Sequence, residues 1–285
     1  MPRGLPSDKP SPLPERGPPV MRTPAPRAMG DAIPAAPYPV GPPVRLPTPT
    51  DAPADLWEVF GARRTRRVFS PLSIAALSSL LWYAGRTLER DPRDAAHERA
   101  TWEHRVPPSA GGLHPIDLLI VPPTPLREDI VPPTQWQDAT GLVPSSTVPW
   151  LYDGRRHAVR PVLAPGAAAG GARLRDAAAR ATPDAVGVEQ ATLVWLIAHR
   201  ARTAARYTHP ESLVWRDAGC VLMVLTLVAS ALTLACCPLG PTGDPTVAEL
   251  LAAPPADVHG AGGVLFGAAR PAGGVLIADR ATAQE

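Results

Sequence analysis

Hydrophobic and polar positions change their rhythm several times along the 285 residues, and each change predicts an element. Ile74, Leu77, Leu80 and Leu81 recur at helical spacing behind Ser70-Pro71-Leu72-Ser73, so a helix is predicted from that start to Gly85. A short helical turn precedes it over Asp55 to Phe60. Ile116 to Val121 and Ala191 to Ala198 are short apolar runs rich in branched residues and read as strands. Val148 to Tyr152 and His157 to Val159 flank Asp153-Gly154, a hairpin signal. Charges crowd Arg86 to Arg105, which reads as an exposed loop or ragged helix, and Gly166 to Gly171 reads as a flexible connection. A long helix is predicted from Glu211 to Leu234, and a short one through Leu251 behind an Asp244 cap and Pro245. Val264 to Phe266 and Val275 to Ile277 are the last strand candidates. Helices and strands mix without a regular alternation, so the expected class is α+β.

Composition changes this picture at the N-terminus. Pro totals 39 and crowds the first 53 residues, where it excludes both helix and central strand. Residues 1–53 are therefore expected to be a disordered or polyproline-like tail, and 54–285 the folding unit. The only Lys is Lys9, inside that tail, so the folded part holds no Schiff-base or phosphate-loop lysine. A net charge of +2 offers no field for unspecific nucleic-acid binding. Cys220, Cys236 and Cys237 form no disulfide framework, and the N-terminus has no apolar signal stretch, so a cytoplasmic location is expected. Seven scattered histidines show no metal-ligand spacing, so no metal is expected. The run Val221 to Cys237 approaches the length of a membrane helix, but it lacks basic flanks, and a helix buried in a core or subunit interface is preferred.

Two motifs carry chemistry. Arg63, Arg64, Arg66 and Arg67 surround Thr65, which reads either as a solvated basic turn or as a phosphate site built from guanidinium groups. Pro107 to Pro115 reads PPSAGGLHP, either a tight loop or a backbone that lets a flat ligand approach.

In this order the motifs resemble the flavin-dependent nitroreductase superfamily, and within it the SagB-type (McbC-like) branch that oxidises azoline rings. Arg63-x-Thr65-x-Arg67-x-Phe69 with Pro71-Leu72-Ser73 is similar to the family's opening motif. Arg105 to Pro115 is similar to the branch's Pro-Ser-Ala-Gly-Gly motif, and Tyr152-Asp153…His157, Arg206-Tyr207, Asp217-Ala218-Gly219 and Leu265-Phe266-Gly267 follow in the same order. The resemblance spans about residues 60 to 270.

That resemblance implies a nitroreductase-like fold, with a mainly antiparallel central sheet flanked by helices. It also implies a homodimer built on a long buried helix after Gly219. FMN would sit at the dimer interface, with Arg63, Thr65 and Arg67 on its phosphate, ribityl chain and pyrimidine edge. Pro108, Ser109, Ala110 and Gly111 would lie against its ring. The branch's usual Lys-Tyr pair is here Arg206-Tyr207, which leaves Tyr207 as the acid/base candidate, because Arg does not lose its proton near neutral pH. Cys220, Met223 and Val224 stand where the family tends to be polar, and Arg270 and Arg280 are both candidates for a second phosphate contact. The implied activity is dehydrogenation of thiazoline or oxazoline rings in a ribosomally made peptide, downstream of an ATP-dependent cyclodehydratase. An NAD(P)H-dependent nitro or quinone reductase, and a non-catalytic scaffold subunit, are the alternatives. No membrane association is expected.

Overall fold

A computed structural model describes residues 22–28, 36–49, 54–90, 102–123 and 148–269. In chain order the first elements are β1 (Ala25–Pro26), β2 (Val44–Arg45), α1 (Leu56–Ala62), α2 (Ile74–Gly85), β3 (Thr87–Arg90) and β4 (Glu103–Arg105). Next come β5 (Ile116–Val121), β6 (Trp150–Asp153), β7 (Ala158–Pro161), α3 (Ala167–Ala181) and β8 (Thr192–His199). The chain then forms α4 (Arg200–Ala204), β9 (Tyr207–Thr208), α5 (Glu211–Ala231), β10 (Leu234–Pro238), α6 (Thr246–Leu251) and β11 (Val258–Ala268).

Seven strands form one sheet in the order β10-β11-β8-β5-β6-β7-β2, and each pairing is antiparallel. Side chains alternate across it, as a period of two requires. Ile116, Leu118 and Ile120 of β5, with Val194 and Leu196 of β8, pack against Leu77, Leu80 and Leu81 of α2 and Leu225 of α5. Their neighbours Leu119, Val121, Leu193, Trp195 and Ile197 face the other way, onto Leu174 of α3 and Leu250 of α6. The sheet is therefore the middle of three layers. β8 is buried along its whole length, which explains why it reads as an unbroken apolar run.

The helix starts follow local chemistry. Asp55 caps α1 by accepting from the Trp57 and Glu58 amides at 2.9 and 3.0 Å. Ser73 caps α2 by accepting from Ala76.

Several expectations need correction. Part of the proline-rich stretch is docked: Tyr38, Val44 and Leu46 are buried, and β2 closes one edge of the sheet. Proline blocks helix and central strand, but the carbonyl of Pro39 still accepts from the Leu163 amide, and Gly41 donates to the Pro161 carbonyl. Residues 36–49 thus belong to the folding unit, so its boundary lies before residue 54. The rest of the stretch lies outside the described residues, apart from 22–28.

Arg86 to Arg105 contains the β3–β4 ribbon where a loop or ragged helix was expected. Gly166 to Gly171 opens α3: a side chain at Gly170 would meet the Leu250 Cβ at 2.6 Å, so the small residues serve close helix packing. The long helix stops at Ala231, three residues early, and Thr233 turns the chain at a φ of 54° so that the next apolar residues form β10. Asp244 does not cap α6; its Oδ1 accepts from the Gly260 amide. Val275 to Ile277, Arg270 and Arg280 lie outside the described residues.

Candidate functional site

The Pro107–Pro115 segment is an anchored turn whose geometry follows from two glycines and one carboxylate. Gly111 and Gly112 both take the left-handed conformation, with φ of 64° and 65°. Asp217, buried in the second turn of α5, accepts from Ser109 Oγ at 2.5 Å and from the Ala110 amide at 3.3 Å. Ser109 Oγ in turn accepts from the His114 amide at 2.9 Å. Burial pushes the Asp217 carboxyl pKa up, while the Ser109 and Ala110 donors pull it down; the net shift is upward.

Arg206 and Tyr207 reach this same loop. The Arg206 guanidinium donates from Nη1 to the Gly111 carbonyl at 3.2 Å. A Cβ placed on Gly111 would lie 3.1 Å from both Arg206 Cδ and Tyr207 Oη, so the absent side chain is what lets the pair close on the turn. Six of the nine expected site residues are therefore brought together: Pro108, Ser109, Ala110, Gly111, Arg206 and Tyr207. Of these, Pro108 and Ser109 line a cavity also walled by Ala84, Arg105, Tyr152 and Val221, while Ala110, Gly111, Arg206 and Tyr207 lie outside its lining.

Two buried charge networks hold the loop from behind, and neither was foreseen from the sequence. Arg202 donates to both oxygens of Asp117 at 2.6 and 2.9 Å and to the His114 carbonyl at 3.0 Å, while Tyr38 donates to Asp117. Burial opposes ionisation of Asp117, but the adjacent guanidinium outweighs it and holds the carboxyl below its ordinary range. Glu103 receives Arg105 at 2.7 Å and Arg155, and these arginines likewise overcome the cost of its burial and lower its pKa. His114 hydrogen-bonds the Glu103 carbonyl through Nε2 at 2.8 Å, and burial pushes its pKa down to about 4. The one available signal was Asp117, a single charge inside the apolar run IDLLIV.

Arg63, Thr65 and Arg67 lie elsewhere. Arg63 is the C-cap of α1. With Arg64, Thr65 and Arg66 it lines one side of a second cavity, whose other side carries the hydroxyl residues Thr226, Ser230 and Thr233. No carboxylate lines this cavity among the described residues. Arg67 lies outside that lining and points instead to exposed Asp184, with Nε 3.6 Å from its carboxylate. The first cavity touches α5 at Asp217 and Val221, the second at Thr226 and Ser230. Asp217 and Ser230 are about 20 Å apart at 1.5 Å rise per residue. Within one chain, then, the arginine cluster and the glycine turn do not converge. Cys220, Met223 and Val224 lie between them, with Met223 exposed.

Among the described residues there is no cluster of His, Cys, Asp or Glu able to hold a metal ion.

The family model described as Nitroreductase family matches residues 61–267. The chain belongs to the nitroreductase family. It is accordingly a flavin oxidoreductase by family, and its fold agrees. A nitroreductase-type protein of Ralstonia eutropha JMP134 superposes with a TM-score of 0.55 at 17% identity, covering 84% of this chain and 98% of that one. One from Anabaena variabilis ATCC 29413 gives 0.53 at 18% identity, covering 84% of this chain and 42% of that one. The Escherichia coli microcin synthetase McbBCD complex with truncated pro-MccB17 gives 0.47 at 18% identity, over 70% of this chain and 65% of that one. Comparison with curated proteins returned no match.

Proposed function

We propose that this nitroreductase-family protein is an FMN-dependent oxidase that dehydrogenates thiazoline or oxazoline rings in a ribosomally made peptide. The observation that carries this reading is the closure of Tyr207 and Arg206 on the Gly111 turn, which gives the ring-facing loop a protonic group at 3.1 Å from the space a Cβ would fill. The intact Pro-Ser-Ala-Gly-Gly motif supports the same branch of the family, while Arg206-Tyr207 stands where that branch usually has Lys-Tyr.

The residues present fit the cofactor. The Arg63–Thr65 cavity combines guanidinium donors with hydroxyls and no carboxylate, which suits a phosphate and a polyol chain. The Ser109–Gly111 turn offers backbone without side-chain bulk, which suits a flat ring. These half-sites are separated along α5, and a homodimer paired on that helix would set the arginines of one chain against the turn of the other. α5 suits that pairing. It is the one helix among the described residues long and apolar enough to cross a membrane, yet only 33% of its apolar window is buried in the chain, and Trp215 and Met223 stay exposed.

When bound, FMN supplies the acceptor for a hydride. Tyr207 Oη, acting as the phenolate, would take the proton from one ring carbon while a hydride passes from the neighbouring carbon to that acceptor, so the ring would lose two hydrogens and become an azole. Arg206, fixed on the Gly111 carbonyl, would hold positive charge beside this transfer. Asp217 keeps the turn in place. Molecular oxygen is the terminal oxidant, and an ATP-dependent cyclodehydratase supplies the azoline in the cytoplasm.

Tyr207→Phe is the direct test. The variant retains stoichiometric FMN in its absorption spectrum and loses at least about a hundredfold in azole formation measured by the mass change of the peptide. Unchanged turnover would remove the assignment. A nitro or quinone reductase is the second reading, favoured by the family match itself. Rapid bleaching of the yellow protein by NAD(P)H, with no azoline turnover, selects it. A protein purified without flavin after FMN supplementation selects the scaffold reading, which the apolar Cys220, Met223 and Val224 motivate.

A further inference from the structure

β9 carries Tyr207 and, among the described residues, pairs with one strand, β1, from the proline-rich N-terminal segment. Ala25 pairs with Thr208 and Pro26 with Tyr207, in antiparallel register. Beyond the strand, the Arg27 amide donates to the Arg206 carbonyl at 2.9 Å. Ala25 N donates to Thr208 Oγ1 at 3.2 Å, and that hydroxyl reaches the Ala25 carbonyl at 3.3 Å.

The way this segment is held matters. Residues 22, 23 and 25–28 are exposed and Thr-Pro-Ala-Pro places no large apolar side chain against the body, so its grip is main-chain hydrogen bonding. Such pairing reads an extended backbone and ignores side-chain identity. The edge it covers belongs to Arg206 and Tyr207, whose side chains point to the Gly111 turn. An extended peptide that presents a ring to Tyr207 can pair its own backbone with this edge.

We propose that the edge of β9 is a docking strand for the substrate peptide, and that residues 22–28 occupy it as a displaceable strap. This rests on the peptide-oxidising reading and adds how the peptide backbone is held: by strand addition over Arg206–Thr208, in competition with the chain's own Ala25–Arg27. Tethering gives the strap a high effective concentration, so it raises the apparent KM for peptides while leaving a small azoline, which makes no strand, unaffected.

Arg27→Pro in the full-length protein removes the amide that bonds the Arg206 carbonyl. Two readouts apply. First, a fluorescein-labelled synthetic peptide spanning residues 20–30 is titrated by anisotropy: the variant captures it at least fivefold more tightly than the unaltered protein, and an azoline peptide displaces it. Equal capture by both proteins overturns the strap. Capture without displacement by the azoline peptide overturns the peptide as occupant of the edge. Second, steady-state kinetics show KM for the azoline peptide lowered severalfold in the variant and that for a small N-acyl thiazoline unchanged; a peptide KM that stays the same or rises overturns the competition. If the yellow protein turns over neither substrate, the enzymatic reading fails, and probe capture still decides the strap because it needs no turnover.

Discussion

At the scale of single residues, the site depends on one carboxylate that no motif singled out as a contact. Asp217 accepts from both Ser109 and Ala110, and without it their half-buried donors lose their acceptor. Asp217→Ala is expected to lower stability by about 1–3 kcal/mol, read from the urea midpoint, and to weaken FMN binding at least about tenfold, read by flavin fluorescence. Asp217→Asn keeps a carbonyl acceptor and should recover part of the FMN affinity. A flavin affinity unchanged in Asp217→Ala would show that the turn holds its shape without this anchor. Gly111 and Tyr207 were legible as motif residues, but their contact with each other was not. Tyr38, Asp117 and Arg202 were invisible as a unit because their pairing spans up to 164 positions of chain, from residue 38 to residue 202, and only folding brings them together.

At the scale of elements, α5 decides most. Its sequence reads as apolar throughout, and the boundary between helix and following strand could not be read because the apolar run continues unchanged into Leu234–Pro238. What stops the helix is a backbone turn at Thr233, followed by five residue pairs shared with β11. The exposed stripe on α5 also sets a prediction. Met223→Arg places a charge on that stripe without touching the chain's own core. Size-exclusion chromatography is expected to show the proposed homodimer shifted to monomer, with loss of bound FMN, since the arginine cavity and the glycine turn lie about 14–20 Å apart along one helix. A flavin-loaded dimer in this variant would rule out pairing through α5. The docking of residues 36–49 makes the complementary point about elements: composition forbade helix there, yet an edge strand and a few carbonyl acceptors sufficed to fold the segment.

At the scale of the whole molecule, stability should depend on pH through histidines the fold buries. His114 and His199 are buried, and burial pushes each pKa from about 6.5 to about 4. The unfolded chain therefore binds protons between pH 6.5 and 4 that the folded chain refuses, so stability present above pH 6.5 is lost as pH falls through that window. Each histidine is expected to cost about 2 kcal/mol on going from pH 7.5 to 5. Urea midpoints at the two pH values measure the sum; equal midpoints would mean that these rings ionise inside the fold. Glu103 and Asp117, whose pKa values are lowered, act in the same direction but only at lower pH, below their unfolded values.

The sequence by itself determined the elements and the chemical vocabulary: α2 from its spacing and Ser73 cap, β5 and β8 from apolar runs, the hairpin from Asp153-Gly154, and both motifs from their residue order. These are local properties, set by backbone sterics and side-chain period within a few residues. Only the tertiary structure decided that Tyr207 faces Gly111, that Asp217 pins Ser109, that the arginine cluster lies apart from the glycine turn along α5, and that proline-rich segments pair with β7 and β9. Those contacts join residues 96 to 183 positions apart, and which of them form is settled by how the three layers pack, not by any pattern a short window of chain can carry.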